Sequence, residues 1–319
     1  MHRLVLCLAL GISGLFATDQ EDKTWEKELL GGEEAQAKGD LAAAEKQLER
    51  ATRLAREFGN EDPRLGKCLA SLGALRLAQR RMEDAEGCFR DALKIFEKTA
   101  GEKHPFVAAC LNNLGQLYQL QQKYELAERY YQRALDILKD SPRAAPILGN
   151  LAAVHHAQKR YDEAELLLEK AVVLADRTYV EGHPAQLIAL NHLASFYMSR
   201  EKPDKAEPVY ARVVRLHENQ DGADSLETAQ AMHALAVCLA AQKKVDRAEP
   251  LYRRLLEICA KKLPPEHPAH IEVLEGLARI LRMTGRDLEA MPLEARAAAA
   301  RKKAQESAPP LREGAPKGE

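Results

Sequence analysis

The sequence predicts an all-α protein, an α-solenoid built of stacked antiparallel helical hairpins, and three observations carry that prediction. An apolar skeleton returns six times along the 319 residues, most clearly as Leu114-Gly115-Gln116-Leu117-Tyr118 followed by Tyr124, Ala127-Glu128, Tyr131 and Ala134-Leu135. Within each copy the apolar residues fall at helical rather than alternating spacing, with room for two helices per unit. Charged residues make up 30% and aromatics 5% of the chain, a balance that suits long amphipathic helices, and no alternating Val/Ile/Thr segment reads as a strand.

The period is set by an Ala in the second helix of each unit: Ala85, Ala127, Ala164, Ala206, Ala248 and Ala290 lie 42, 37, 42, 42 and 42 residues apart. In the first helix a large residue recurs beside a small one, as Leu72-Gly73, Leu114-Gly115, Leu151-Ala152, Leu193-Ala194, Leu235-Ala236 and Leu277-Ala278. The small member lets two helix backbones approach closely, so a hairpin with few aromatics still packs densely. The units run over 64–105, 106–142, 143–184, 185–226, 227–268 and 269–304. Upstream, Leu41, Ala44-Glu45, Leu48 and Ala51 copy a second helix, while Glu28 and Gly31 stand where Leu is expected, so 18–63 reads as a degenerate N-terminal capping repeat.

The ends differ from the body. Met1-His2-Arg3 and the uncharged run Leu4 to Ala17 outline a secretory signal peptide over 1–17, with cleavage near Ala17. Its fourteen residues are fewer than the ~20 that a membrane-spanning helix needs. Residues 305–319 lack apolar period and read as a disordered tail. The expected location is therefore periplasmic or secreted, the alternatives being cytoplasmic or N-terminally anchored.

The skeleton resembles the tetratricopeptide repeat, and the extra length per unit, with Asn112-Asn113-Leu114, Ala206-Glu207-Pro208, Ala248-Glu249-Pro250, His104-Pro105, His183-Pro184 and His267-Pro268, is similar to its 42-residue kinesin light chain subtype. The resemblance implies a right-handed superhelix of helix-turn-helix units whose concave face binds an extended peptide or a partner helix. It also implies a binding scaffold and no enzyme.

Function classes are narrowed further by composition. Without Arg3 the chain carries 46 basic and 48 acidic residues, which offers no basic excess for nucleic acid. With Cys7 in the leader set aside, Cys68, Cys88, Cys110, Cys238 and Cys259 remain, odd in number and without a Cys-x-x-Cys, which argues against a zinc site and reads first as buried small hydrophobes, with one disulfide as the alternative. The three His-Pro pairs suit helix entry, where proline's missing donor costs nothing. The adjacent His155 and His156 point about 100° apart on a helix, so they do not share one metal. No nucleophile elbow, phosphate loop or paired zinc histidines occur, and no catalytic residue, cofactor or metal is expected.

Candidate binding residues come from helical geometry. At about 100° per residue, one set of first-helix positions points into the hairpin and the set opposite lines the exposed concave face. There stand Asn112, Gln116, Gln119, His156, Asn191, Ser195, Gln230 and His233, a neutral, amide-rich set suited to the N–H and C=O groups of a peptide. In the sixth unit Arg279 and Arg282 can grip a carboxylate, although Glu275, four residues before Arg279, is placed to satisfy it on the helix surface. The leading expectation is an exported scaffold for a protein or peptide partner, with no membrane span after processing. Its alternatives are an intracellular adaptor like the kinesin light chain repeats and an assembly protein that self-associates through its repeat ends.

Overall fold

The computed structural model describes residues 23–139 and 141–306. The leader expected over 1–17 lies outside the described residues, as does the tail from residue 307 on; residues 305 and 306 close the last helix. Among the described residues there are fourteen helices and no strand. They are α1 (Thr24–Ala37), α2 (Leu41–Glu57), α3 (Pro63–Ala78), α4 (Met82–Ala100), α5 (Pro105–Leu120), α6 (Tyr124–Leu138) and α7 (Ala144–Ala157). The remainder are α8 (Tyr161–Thr178), α9 (Pro184–Ser199), α10 (Pro203–Asp221), α11 (Leu226–Ala241), α12 (Val245–Lys262), α13 (Pro268–Met283) and α14 (Asp287–Glu306). Within each unit successive helices pack as hairpins, as α3 with α4 and α13 with α14, and second helices pack on the first helix of the following hairpin, as α2 on α3 and α12 on α13. The result is an all-α solenoid in two compact units, one ending at Ala175 and the other beginning at Asp176.

Local chemistry sets where the first helices begin and end. Asp62 caps α3 by accepting from the Arg64 N–H at 2.8 Å, and Ser225 caps α11 by accepting from the Thr228 N–H. In the His-Pro entries an imidazole takes that role: Nδ1 of His104, His183 and His267 accepts the backbone N–H two residues on, at 3.1–3.2 Å, with Pro at the first helical position. Each first helix closes in a left-handed residue: Arg80, Gln122, Lys159, Glu201 and Lys243 have φ between 54° and 66°, and only the first and last hairpins use glycine there, at Gly39 and Gly285. The paired bonds from Arg80 N to Leu77 O and Arg81 N to Arg76 O return two otherwise orphaned carbonyls to use.

The large-beside-small pattern is a packing rule. A Cβ on Gly115 would lie 2.6 Å from the ring of Tyr131, and one on Gly73 would lie 2.7 Å from Phe89, both rings being fully buried. The glycine is thus the socket into which the second helix's aromatic closes the hairpin. In the first unit one buried cluster runs from Leu29 on α1 through Leu72, Phe89, Leu114 and Tyr131 to Val154 on α7, with Leu167 and Leu174 of α8 packed on it. In the second unit Ile271, Leu274, Ala297 and Ala300 join α13 to α14. The shorter 37-residue period appears as a shorter second helix: α6 has 15 residues where α4 and α10 have 19.

Candidate partner-binding face

The first helices α5 and α7 of one unit and α9, α11 and α13 of the other carry the candidate residues. They divide by how far their polar atoms are already committed. Asn112 does not line an open face: it is fully buried, its Oδ1 accepts from Asn150 Nδ2 of α7 at 3.0 Å, and its own Nδ2 has no partner among the described residues. The following hairpin sits close enough to α5 to cover it. Gln119 is half-buried and its Oε1 accepts the Tyr131 hydroxyl at 2.8 Å, so it also serves the hairpin interior. Ser195 is exposed, 3.5 Å from the Tyr210 hydroxyl. His156 is half-buried, edge-on to Tyr161.

Three amides are uncommitted. Gln116 and Asn191 are half-exposed and Gln230 is exposed, and none makes a side-chain hydrogen bond among the described residues. His233 lies half-buried, edge-on to Tyr252 at 6.0 Å, and burial pushes its pKa down, which keeps the ring neutral. Gln116 with exposed Ala153 in the first unit, and Asn191, Gln230 and His233 with exposed Val237 in the second, give each unit neutral hydrogen-bonding groups and a small apolar one.

At the end of the second unit the expected Glu275–Arg279 pair does not form. α14 runs antiparallel beside α13 and brings Arg301 to 2.6 Å from Glu275, while Arg282 holds Glu294 at 2.7 Å and Asp287 at 2.9 Å. Glu275, Arg279, Arg282 and Glu294, with Ala278 and Met283, border an open depression of about 490 Å³. Of its four charged lining residues only Arg279 has no ion pair among the described residues, so its guanidinium faces the depression uncompensated.

A second set of functional contacts, which the sequence reading missed, joins successive hairpins. In four of the Ala-Glu pairs the Glu reaches a base at the start of the next second helix, Glu45 to Arg81, Glu128 to Arg160 at 2.8 Å, Glu207 to Lys244 at 2.6 Å and Glu249 to Arg286 at 2.8 Å, whereas Glu86 takes Arg90 of its own helix and accepts the Tyr118 hydroxyl. A parallel row links second helix to second helix, through Arg133–Glu97, Arg212–Asp176 at 2.8 Å and Arg254–Glu218 at 3.1 Å. Hydrogen bonds from Lys244, then Arg247 and Gln242, hold the Glu207 carboxyl down at about 2. His155, in the place of a core aromatic, is buried and bonded at 3.2 Å to that same Glu128. The signal was present in sequence: position by position, the basic residues Arg81, Lys123, Arg160, Lys202, Lys244 and Arg286 recur in register with the Ala-Glu pairs. Charge on the second-helix side is thus spent on stacking, whereas the first-helix face keeps uncommitted polar groups.

The five cysteines among the described residues are free and buried, and burial pushes the thiols up, to about 12 at Cys68 and Cys110. No described helix is long and apolar enough to cross a membrane. A family model for the tetratricopeptide repeat matches residues 32–98, 68–140, 143–195, 186–261 and 227–303. The nearly identical TPR-like repeats of a proposed kinesin light chain of Podosopora anserina are similar at 25% identity and a TM-score of 0.57, over 64% of this chain and 99% of that one. BtubC (BKLC) from P. vanneervenii is similar at 21% identity and a TM-score of 0.62, over 75% of this chain and 96% of that one. The apo form of RapI shares the fold at 14% identity and a TM-score of 0.69, over 88% of this chain and 77% of that one. No curated protein matches the chain.

Proposed function

The chain belongs to the tetratricopeptide repeat family, whose repeats mark protein–protein interaction scaffolds, and we propose that this one is a non-enzymatic scaffold that holds an extended peptide or a partner helix against its first-helix faces. The observation that carries this reading is the contrast in commitment between the two sides of the hairpins. Charges on the second helices are consumed in pairs between neighbouring hairpins, while Gln116, Asn191 and Gln230 have donors and acceptors to spare. An amide presents both groups, so it pairs with a ligand's N–H and C=O alike, which suits a main chain rather than a particular side chain. In the second unit Arg279 adds an uncompensated guanidinium to the same side, where an acidic ligand group would be received. Asn112, buried against Asn150, belongs to the fold and not to this face.

Export belongs to the same proposal: the basic start and apolar run of 1–17 are read as a leader removed near Ala17. Mass spectrometry of the mature N-terminus tests it, because a chain beginning at Thr18 excludes the intracellular adaptor and a chain retaining residues 1–17 excludes processing. The face is tested by photo-crosslinking from Gln230 and, as an outer-side control, from Leu166, which is 67% exposed on α8. The expected result is one partner captured from Gln230 and lost when Gln116→Ala and Asn191→Ala are added at unchanged helix content. Capture from Leu166 alone would place the partner elsewhere.

A further inference from the structure

The last hairpin breaks the charge rule of all those before it. Where the earlier second helices carry Glu45, Glu86, Glu128, Glu165, Glu207 and Glu249, α14 carries Met291; where five of them carry Glu83, Glu125, Asp162, Asp204 and Asp246, it carries Leu288. Both are large, apolar and open to solvent, Leu288 at 86% and Met291 at 56%. At about 100° per residue they share one stripe with Ala295, Ala298, Ala299 and Lys302, directly opposite buried Ala290, Ala297 and Ala300. Scattered apolar residues at a surface are ordinary, but a stripe along a whole helix, replacing acids at two repeat positions, is a contact surface.

We propose that this stripe is the contact between two copies of the chain, the two α14 helices packing antiparallel about a two-fold axis near Ala295. The helix is complementary to its own reverse. Its first half offers the large side chains Leu288 and Met291, and its second half offers the alanines that receive them. Asp287 is held by Arg282 of its own chain, while Lys302, 79% exposed and paired loosely with Glu306 at 3.8 Å, has a stem that lies over Leu288 of the second copy. Small residues at the crossing let the axes approach to about 8 Å. The segment that follows α14 does not suit the stripe as an alternative. Met291 lies about 22 Å along the helix from Glu306, whereas Leu311, the large apolar residue among 307–319, reaches at most about 17 Å beyond Glu306. A 20-residue helix about 30 Å long and 10 Å wide covers well under the ~800 Å² per partner of a standard interface, so the association is weak and reversible.

This contact is independent of partner binding on the first-helix faces, and its test uses the full chain without a partner. Sedimentation over a concentration series is expected to show a monomer–dimer equilibrium in the wild type. Met291→Glu, which restores the acid of the earlier hairpins, is expected to move the midpoint at least tenfold upward in concentration with helix content unchanged. Because the five native cysteines in 23–306 are buried, an Ala295→Cys variant is expected to form a disulfide-linked dimer under mild oxidation, and a variant with the same change at exposed Gly87 is not. A wild type that stays monomeric throughout, a midpoint unmoved by Met291→Glu, or equal cross-linking from both positions overturns the proposal.

Discussion

Gly115 and Tyr131 show how a single residue type sets the spacing of a hairpin. The ring fills the space a side chain would need, so Gly115→Val forces either the ring or the helix to move. The expected cost is about 1–3 kcal/mol from overpacking, read as a lower urea midpoint at unchanged slope. Asn112 and Asn191 make the converse point, since they occupy the same repeat position and carry the same side chain. One is fully buried against Asn150 and the other is half-exposed and uncommitted. Register around a helix was legible for both, because angle follows from counting residues. Depth was not, because it depends on the hairpin that stacks above.

The hairpin turns and the ion-pair rows belong to the scale of the element. In five turns the left-handed position is held by a non-glycine residue, and a side chain in that conformation costs about 1–2 kcal/mol. Lys159→Gly is therefore expected to stabilise the protein by up to about 1 kcal/mol after the added freedom of the unfolded chain is offset, measured as a raised denaturation midpoint. Glu207 binds two hairpins of the second unit together, and its pH dependence follows from linkage. A carboxyl held at about 2 when folded, against an ordinary 4.5, stabilises fully above 4.5 and loses that contribution as pH falls towards 2. The Glu207→Gln variant is expected to lose less stability over that window than the wild type; equal acid sensitivity would mean that the clamp contributes nothing to the fold. The i,i+4 expectation for Glu275 and Arg279 failed at this same scale. The second helix lying alongside brings Arg301 to 2.6 Å from Glu275, and the carboxylate pairs across the hairpin instead of along its own helix.

For the whole molecule, nearest-neighbour stacking within a unit makes each hairpin depend on the next, and the two end hairpins, with a neighbour on one side, depart from the repeat skeleton. The first hairpin replaces the skeleton leucines with Glu28 and Gly31, and the last replaces two acids with Leu288 and Met291. What the sequence determined by itself was everything that recurs with the period: the helical class, two helices per unit, the socket of the small residue, the proline entries and the repeat family. Those features are local, set by spacing along one chain segment and by the turn chemistry at its ends. What only the tertiary structure decided was which polar groups remain available. That Asn112 is sealed, that Gln119 serves Tyr131, that Arg279 is left without its expected carboxylate and that His155 joins the Glu128 pair all depend on side chains from another helix, brought within 3.2 Å or displaced by packing. A hydrogen bond is satisfied by whichever partner arrives in space, and periodicity along the chain fixes a residue's direction without fixing what it meets.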